Sequence, residues 1–348
     1  MTTTVRPGEA PPAGRGDTER PVRPNRLDAW RRSDRISVFG PPVALVLLII
    51  LFSILSPQFR TLGNLRSILD TAAVLAVVAV GLTFVLMLGA IDLSVEGIMA
   101  ASALSFALLI ANNRNDNDLG FLAVVLAVGV GALFGGANGI LSTRLRIPSF
   151  MTTLGVSAIG IGVATVLFGG VQPTIQSADV SALATGDIIG LTPLTFVALG
   201  VILLGVGLER YTRLGRYARV IGGAEDLALL SGIPVRRYKT LVFAFAGAVY
   251  GLAGVMVTIK LGSGIVAVGS GINFAAITAA VIGGTLLSGG RGGVLHSIIG
   301  VLIVSVLANG LVLIGVDSNF QTAVQGFVVV AAVAITNWPL RRRLRVVK

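Results

Sequence analysis

Apolar stretches of about 20 residues recur along almost the whole chain, and they limit its fold more than any other feature. A helix of that length is about 30 Å long, which matches the hydrocarbon thickness of a bilayer. Only 12% of the 348 residues are charged, about half the share of a soluble protein. Because a soluble core cannot bury so many long apolar segments, the sequence predicts an all-α membrane protein.

We predict ten transmembrane helices from the positions of these stretches. The second and third spans are separated only by Ile91-Asp92-Leu93-Ser94, which interrupts an otherwise apolar stretch. Glycine pairs with the spacing of close helix contacts, Gly131/Gly135 and Gly247/Gly251, fall inside two of the spans. The predicted spans are 38–56, 68–90, 94–111, 120–142, 150–170, 191–208, 240–260, 272–288, 294–315 and 320–338.

Basic residues are distributed unevenly between the segments that connect the spans. With the N-terminus in the cytoplasm, all but four of the 27 Lys and Arg residues fall on the cytoplasmic side. Cytoplasmic loops of membrane proteins carry such an excess, so both termini are predicted to be cytoplasmic. The net charge of +11 is then a signal of topology, and no nucleic acid is expected as a partner. The outer residues are Arg60, Arg66, Arg114 and Lys260.

Three regions follow from this topology. Residues 1–37 are rich in Pro and Arg and are predicted to be a disordered basic cytoplasmic tail. Residues 38–338 form the transmembrane domain, whose longest cytoplasmic loop is 209–239, and residues 339–348 form a second basic cytoplasmic tail. The tail before the first apolar stretch is not typical of a cleavable signal peptide.

The chain contains a weak internal repeat. Ala137-Asn138-Gly139 recurs 171 positions later as Ala308-Asn309-Gly310, and Ile91-Asp92-Leu93 has a looser counterpart in Ile272-Asn273-Phe274. The second copy begins five spans after the first, so its orientation in the membrane is inverted, as in many transporters. Chance matches between common residues are the alternative. Because the matches keep one order along the chain, we predict an inverted internal repeat.

The sequence offers no catalytic or metal site. It has no cysteine and a single histidine, His296, and its glycine-rich segments lack the lysine of a phosphate-binding loop. No bound cofactor, metal or enzymatic activity is therefore expected of this chain. Energy for uphill transport would come from a partner protein or from an ion gradient, for which only Asp92 and Glu96 lie inside the spans.

The loop 209–239 has the pattern of a short helix outside the membrane. Residues 224–231 favour a helix with acids near its start, Gly232 ends it, and Pro234 prevents it from resuming. Such a helix is suited to docking in a groove of another protein, and an ordinary solvated loop is the alternative. The residues predicted to form this docking site are Gly223, Glu225, Asp226, Ala228, Gly232 and Ile233.

Polar residues inside or beside the spans are candidates for a translocation pathway. For Asp92, capping of the helix that begins near Ser94 is the stronger alternative. The asparagines are equally suited to holding helices together by hydrogen bonds. For Phe150 and Thr153, anchoring and capping of a span is the more common role. The candidates are Asp92, Asn138, Phe150, Thr153, Asn273 and Asn309.

A series of short segments carries a more specific signal when they are taken together and in order. They include Gly-Leu-Thr-Phe-Val at 81–85, Gly-Ala-Ile-Asp-Leu-Ser-Val at 89–95, Arg-Ile-Pro-Ser-Phe at 146–150, Val-Ile-Gly-Gly-Thr at 281–285, and the acidic helix with its glycine at 225–233. With these segments, residues 40–338 resemble the ribose/xylose-type permeases of bacterial ABC importers. Two positions depart from the family pattern, since Leu227 stands where Ala is usual and Glu96 where Gly is common.

The resemblance implies a subunit of the bacterial inner membrane, surrounded by lipid, that transports a monosaccharide. It implies that two permeases, either a homodimer or a pair of paralogues, form the pathway. A separate ABC ATPase would bind ATP and dock on the coupling loop 209–239, and an extracytoplasmic binding protein would deliver the sugar. A permease for nucleosides or branched-chain amino acids, an ion-coupled secondary carrier and a membrane scaffold without transport activity are the alternatives.

Overall fold

The structure, a computed structural model, describes residues 26–317 together with 320, 323–324 and 326–327. Of residues 26–38 it describes the backbone alone. The predicted tenth span, 320–338, lies almost entirely outside the described residues, as do residues 1–25 and the C-terminal tail 339–348.

Helices make up the regular structure of the described residues. A 3₁₀ turn at Pro57–Arg60 separates the first two of them, and isolated β-bridges join the loops on one side. The helices are α1 Arg26–Leu55, α2 Leu62–Met87, α3 Val95–Leu109, α4 Phe121–Arg144, α5 Ser149–Phe168, α6 Ala178–Thr185, α7 Pro193–Tyr211, α8 Arg213–Gly223, α9 Glu225–Leu230, α10 Val235–Leu261, α11 Ile272–Gly283 and α12 Val294–Leu313.

Every predicted span that falls inside 26–317 coincides with an apolar helix. Among the described residues, six helices are long and apolar enough to cross a membrane, namely α2, α4, α5, α7, α10 and α12. The apolar part of α1 and the helices α3 and α11 are shorter. These findings agree with an all-helical membrane protein, whereas the count of ten spans stays a prediction.

Two helix boundaries differ from the predicted ones for different reasons. Helix α1 begins at Arg26, upstream of residue 38 and inside the segment that the sequence assigned to the tail. Helix α11 ends at Gly283 and not at residue 288, because Gly284 adopts a left-handed conformation with φ of 107°. With 12 residues, α11 is about 18 Å long, too short to cross a bilayer by itself.

Helices α2 and α10 form the centre of the bundle. Most of the apolar length of each is buried, whereas α4, α5 and α7 bury only a small part of theirs. The outward-facing residues of those peripheral helices include Leu133, Val166 and Leu203, which are large, apolar and exposed. An apolar outer surface on an apolar core is the arrangement that a bilayer stabilises.

A close contact joins α4 to α10 through the predicted glycine pairs. A Cβ atom added to Gly131 would lie 2.9 Å from the Cα of Gly251, and one added to Gly135 would lie 2.9 Å from the Cα of Gly247. Both distances are below van der Waals contact, so the two backbones touch directly. This is the packing that small residues at a spacing of four permit in membranes.

We expect Gly131→Ala to lower the thermal stability of the protein in detergent, since the added methyl group forces α4 and α10 apart. The expected cost is about 1–3 kcal/mol, the range for an overpacked core. Gly129→Ala is the matched control, because the space beside Gly129 on the same helix is open. Equal unfolding temperatures for the two variants would contradict a direct backbone contact.

Candidate functional site

The two ends of α2 define the two sides of the bundle. Near its start, the carbonyl of Asp70 accepts a hydrogen bond from Lys260 at the end of α10, close to α6. Its last residue, Met87, lies against Gly222 of α8. We therefore refer to the α6 side and the α9 side of the bundle.

The predicted helix of the loop 209–239 is present on the α9 side. Thr212 caps α8 by accepting a hydrogen bond from the Leu214 N–H, and α9 follows α8 after a single residue. Gly232, with φ of 75°, ends α9 as predicted. The Ile233 N–H then bonds to the Ala228 carbonyl at 3.1 Å, which closes the helix end.

One face of α9 is anchored and the other is free. Ala228 is fully buried and Ile233 packs against the core. Leu227 is 64% exposed and Leu230 is 85% exposed, so large apolar side chains project away from the bundle. Glu225 and Asp226 at the helix start are also exposed. The outer face of α9 is therefore an apolar surface with acids at one end.

Two contacts fix the positions of α8 and α9 relative to α10. Lys239 bonds to both carboxylate oxygens of Glu225 at 2.7 Å. Tyr217 of α8 meets Tyr238 of α10 edge to face, with ring centroids 4.6 Å apart. The Glu225 side chain is about half exposed, so this ion pair orients α9 more than it stabilises the fold.

The predicted break between the second and third spans is an irregular segment, 88–94, that runs back along α5. Two of its backbone N–H groups find partners in side chains of α5. The Ile91 N–H donates to the Ser149 hydroxyl at 3.1 Å, and the Leu93 N–H donates to the Thr153 hydroxyl at 3.0 Å. The first turn of α5 thus supplies the hydrogen bonds that the broken helix lacks.

Asp92, in the middle of this break, is buried with 1% of its surface exposed. Its carboxylate accepts hydrogen bonds from the Ser94 N–H at 2.9 Å and from the Ser94 hydroxyl. The Ser94 hydroxyl in turn accepts one from the Asn138 amide at 2.8 Å. The Tyr250 hydroxyl interacts electrostatically with Asp92 but makes no hydrogen bond of normal geometry to any described residue. Asp92 therefore organises the start of α3, and a cluster of buried polar groups surrounds it.

A second irregular segment, 262–271, enters the bundle from the α6 side and runs along α3. Gly264 lies beside Ala107 near the end of α3, and Gly269 lies beside Glu96 near its start. The Gly271 N–H donates to the Glu96 carboxylate at 3.0 Å, so Glu96 caps the start of α11. This contact explains the position of the carboxylate, whose role the sequence left open.

The segment 284–293 after α11 meets the segment 88–94 on the α9 side. The Gly290 N–H donates to the Met87 carbonyl at 3.0 Å, and a Cβ on Gly89 would lie 3.2 Å from the Ser288 carbonyl oxygen. A hydrogen bond between buried hydroxyls joins α2 to α12 nearby, since Thr83 donates to Ser297 at 2.7 Å. Segments 284–293 and 88–94 are thus packed on each other.

The remaining predicted pathway residues lie in different places. Asn273 is buried in the first turn of α11, and its amide oxygen has no hydrogen-bond partner among the described residues. Asn309 donates to the Asn64 side chain at 2.9 Å, near the α6 side. Phe150 is 41% exposed on α5. The structure therefore brings Asp92, Asn138 and Thr153 together around one break, and it does not bring Phe150 or Asn309 into that cluster.

Sequence reasoning missed two residues of this region, Ser149 and Glu209. Ser149 bonds to the break, and Glu209 is buried where three helices meet. A serine at a span start and an acid at a span end are common in membrane proteins, so neither stands out in the sequence. Only the fold places them next to interrupted backbone.

A bundle of apolar helices with interrupted segments inside it and a short helix with exposed leucines outside it is typical of a membrane transport protein. Residues 64–333 match the family described as branched-chain amino acid transport system / permease component. The chain therefore belongs to this family of ABC transporter permeases. As a permease component it is a transport subunit and not an enzyme, since ATP hydrolysis lies on a separate subunit.

Curated relatives cover most of the chain. The chain is 35% identical over 300 residues to the ribose import permease protein RbsC of Escherichia coli K12, which is 85% of this chain and 92% of the relative. It is 36% identical over 299 residues to RbsC of Bacillus subtilis, again 85% of this chain and 91% of the relative.

The L-arabinose ABC transporter permease protein AraH of Azospirillum brasilense is also similar, with 34% identity over 250 residues, 70% of this chain and 71% of the relative. No solved structure matches the chain.

We expect Thr153→Val to destabilise the protein, because the partly buried Leu93 N–H loses its hydrogen-bond acceptor. An unsatisfied buried donor costs about 1–3 kcal/mol. Thr152→Val is the control, since the Thr152 hydroxyl bonds only to the Pro148 carbonyl at the start of its own helix. Thermal unfolding in detergent measures both variants, and a Thr153 variant as stable as the Thr152 variant would show that α5 does not support the break.

Proposed function

We propose that the chain is the membrane-spanning permease subunit of an ATP-driven monosaccharide importer, which forms the translocation pathway and couples it to a separate ATPase. The observation that carries this proposal is the similarity over 85% of the chain to permeases named for ribose import. A permease named for L-arabinose and one named for D-allose also favour a monosaccharide as the substrate.

Other solutes are less well supported. The family description names branched-chain amino acids, and it favours that class of substrate as the second candidate. The relatives that cover most of the chain are named for sugars, which favours a monosaccharide. An ion-coupled carrier needs a carboxylate that is free to bind the ion. Asp92 and Glu96 both accept hydrogen bonds from the protein itself, which weighs against that mechanism.

The outer face of α9 is the proposed docking surface for the ATPase. Leu227 and Leu230 are exposed on the α9 side, where lipid would not cover a helix outside the bundle. An amphipathic helix that lays apolar anchors into a groove is a recurrent mode of recognition. Gly223, Ala228, Gly232 and Ile233 shape the helix, and Glu225 and Asp226 contribute its acidic end.

The irregular segments 88–94 and 262–271 are the proposed surroundings of the solute. Transporters often bind solutes where discontinuous helices face each other from opposite sides of the membrane. Segment 88–94 enters from the α9 side and segment 262–271 from the α6 side, and Glu96 joins them. Asp92 and Asn273 correspond in the predicted repeat, and among the described residues the amide oxygens of Asn138 and Asn273 have no hydrogen-bond partner. Such oxygens are suited to accept hydrogen bonds from sugar hydroxyls.

This arrangement supports the inverted repeat and the ten-span topology. Asn138 bonds to Ser94, which precedes α3 on the α9 side of the bundle. Asn309 bonds to Asn64, at the opposite end of α2 on the α6 side. Repeat-related residues at opposite depths are expected when the second copy is inverted. A tenth span within 320–338 would complete the second copy and return the C-terminus to the side of the N-terminus.

The proposed assembly follows from these assignments. The protein is a multi-pass protein of the inner membrane with both termini in the cytoplasm, and the α9 side is the cytoplasmic side. A second permease copy, as a homodimer or a paralogue, completes the pathway. ATP is bound by the partner subunit, and an extracytoplasmic sugar-binding protein docks on the α6 side.

Leu230→Ser is expected to abolish most ATP-driven uptake of labelled ribose, xylose or arabinose into proteoliposomes that contain the permease, its ATPase and its binding protein. Loss of an apolar anchor should weaken ATPase binding at least about tenfold, as for interface hot spots. Ile189→Ser is the control, because Ile189 is 91% exposed in the loop after α6, on the opposite side. Uptake without the ATPase would overturn the ABC assignment, and uptake of amino acids alone would overturn the sugar class.

The cysteine-free sequence allows a direct test of topology and pathway. A membrane-impermeant maleimide is expected to label Ile189→Cys in intact cells and Leu230→Cys only after the membrane is opened. Cysteine at Asn273 is expected to react only while the transporter cycles, since the residue is buried in the described state. Labelling of Leu230→Cys from outside would reverse the topology, and an unreactive Asn273→Cys would remove that residue from the pathway.

A further inference from the structure

Glu209, the buried carboxylate that sequence reasoning missed, joins three helices on the α9 side. It lies two residues before the end of α7. One of its oxygens accepts a hydrogen bond from the Val294 N–H at the start of α12 at 2.6 Å. The other forms an ion pair with Arg219 of α8. A single side chain therefore links a transmembrane helix end, a transmembrane helix start and the helix that precedes α9.

The surroundings of Glu209 leave this carboxylate little freedom. A Cβ atom added to Gly293 would lie 3.0 Å from the Glu209 carboxyl carbon, and one added to Gly215 would lie 2.7 Å from its backbone carbonyl carbon. Both positions are glycine because backbone approaches the residue closely from α12 and from α8. A displacement of α8 would therefore shift Glu209 and the start of α12.

The far end of α8 touches the interruptions of the bundle. A Cβ atom on Gly222 would lie 2.8 Å from the Gly290 nitrogen and 2.9 Å from the Leu88 carbonyl carbon. Helix α8 is thus held at Glu209 through Arg219 and at the segments 88–94 and 284–293 through Gly222. Because only Ala224 separates α8 from α9, a force on α9 reaches all of these contacts through α8.

We propose that Glu209 and Arg219 are a positioning pair that transmits the displacement of α9 to α12 and the segment 284–293 during the transport cycle. This inference rests on the proposed function, in which α9 docks on the ATPase. Neither residue touches solute or nucleotide. The pair acts by keeping α8 and the start of α12 in one unit, so that movement of the docking helix moves the wall of the pathway.

A purely stabilising role is the competing explanation, and the exposure of Arg219 separates the two. About a third of the Arg219 side chain is exposed, and after its loss the Glu209 carboxylate keeps the hydrogen bond from the Val294 N–H. Loss of the arginine should therefore leave assembly intact and change the coupling. Loss of Glu209 would also leave the Val294 N–H without a partner, so Arg219 is the residue to substitute first.

Arg219→Gln is compared with Arg216→Gln, since Arg216 is exposed one turn away on the same helix. Both variants are reconstituted with the ATPase and the binding protein, and sugar uptake and ATP hydrolysis are measured in the same vesicles. We expect Arg219→Gln to lower the uptake per ATP hydrolysed by about tenfold, within the usual range of coupling between sites. Arg216→Gln is expected to keep the wild-type ratio, and Arg219→Lys is expected to restore most of it.

Glu209→Gln combined with Arg219→Gln tests whether the two residues act as one unit. Glutamine keeps an oxygen that can accept from the Val294 N–H, so the double variant is expected to match Arg219→Gln in its uptake per ATP. The inference is overturned if Arg219→Gln transports like Arg216→Gln, if both residues act additively, or if Arg219→Gln fails to assemble. Wild-type vesicles without ATP-driven uptake would instead overturn the proposed function.

Discussion

The structure depends on hydrogen bonds to backbone that leaves the helical path inside an apolar environment. Every unpaired N–H or C=O group at that depth carries a large free-energy cost. The break at 88–94 is tolerated because Ser149 and Thr153 on α5 accept its N–H groups. The start of α11 is tolerated because Glu96 accepts the Gly271 N–H.

These interruptions also determine how the bundle is divided. Continuous helices such as α2 and α10 occupy the centre and make extensive contacts, whereas α3 and α11 begin or end within it. The irregular segments need small residues, and Gly89 and Gly290 provide the space where the segments meet. The same region receives α8 from outside the bundle. The interrupted helices, α8 and α9 are therefore parts of one contiguous piece of structure.

Much of the fold could be predicted from sequence, because span length and charge asymmetry are strong physical signals. The break at Asp92, the glycine spacings within α4 and α10, and the end of α9 at Gly232 were all visible in the residues. The partners of the broken backbone were not visible, since Ser149 and Glu209 acquire their roles only from helices distant in sequence. The length of α11 was overestimated because apolar residues continue beyond Gly284.

The direct backbone contact between α4 and α10 has a mechanical consequence. Interiors without voids resist compression, so the two helices behave as one stiff rod. Helix α10 has 27 residues and is about 40 Å long. It starts five residues after α9 and ends at Leu261, and Lys260 in its last turn lines an open cavity of about 600 Å³ on the α6 side. A tilt of about 5° at the α9 end would therefore move the far end by about 3 Å. The rigid helix pair would then carry a movement on one side of the membrane directly to the other side.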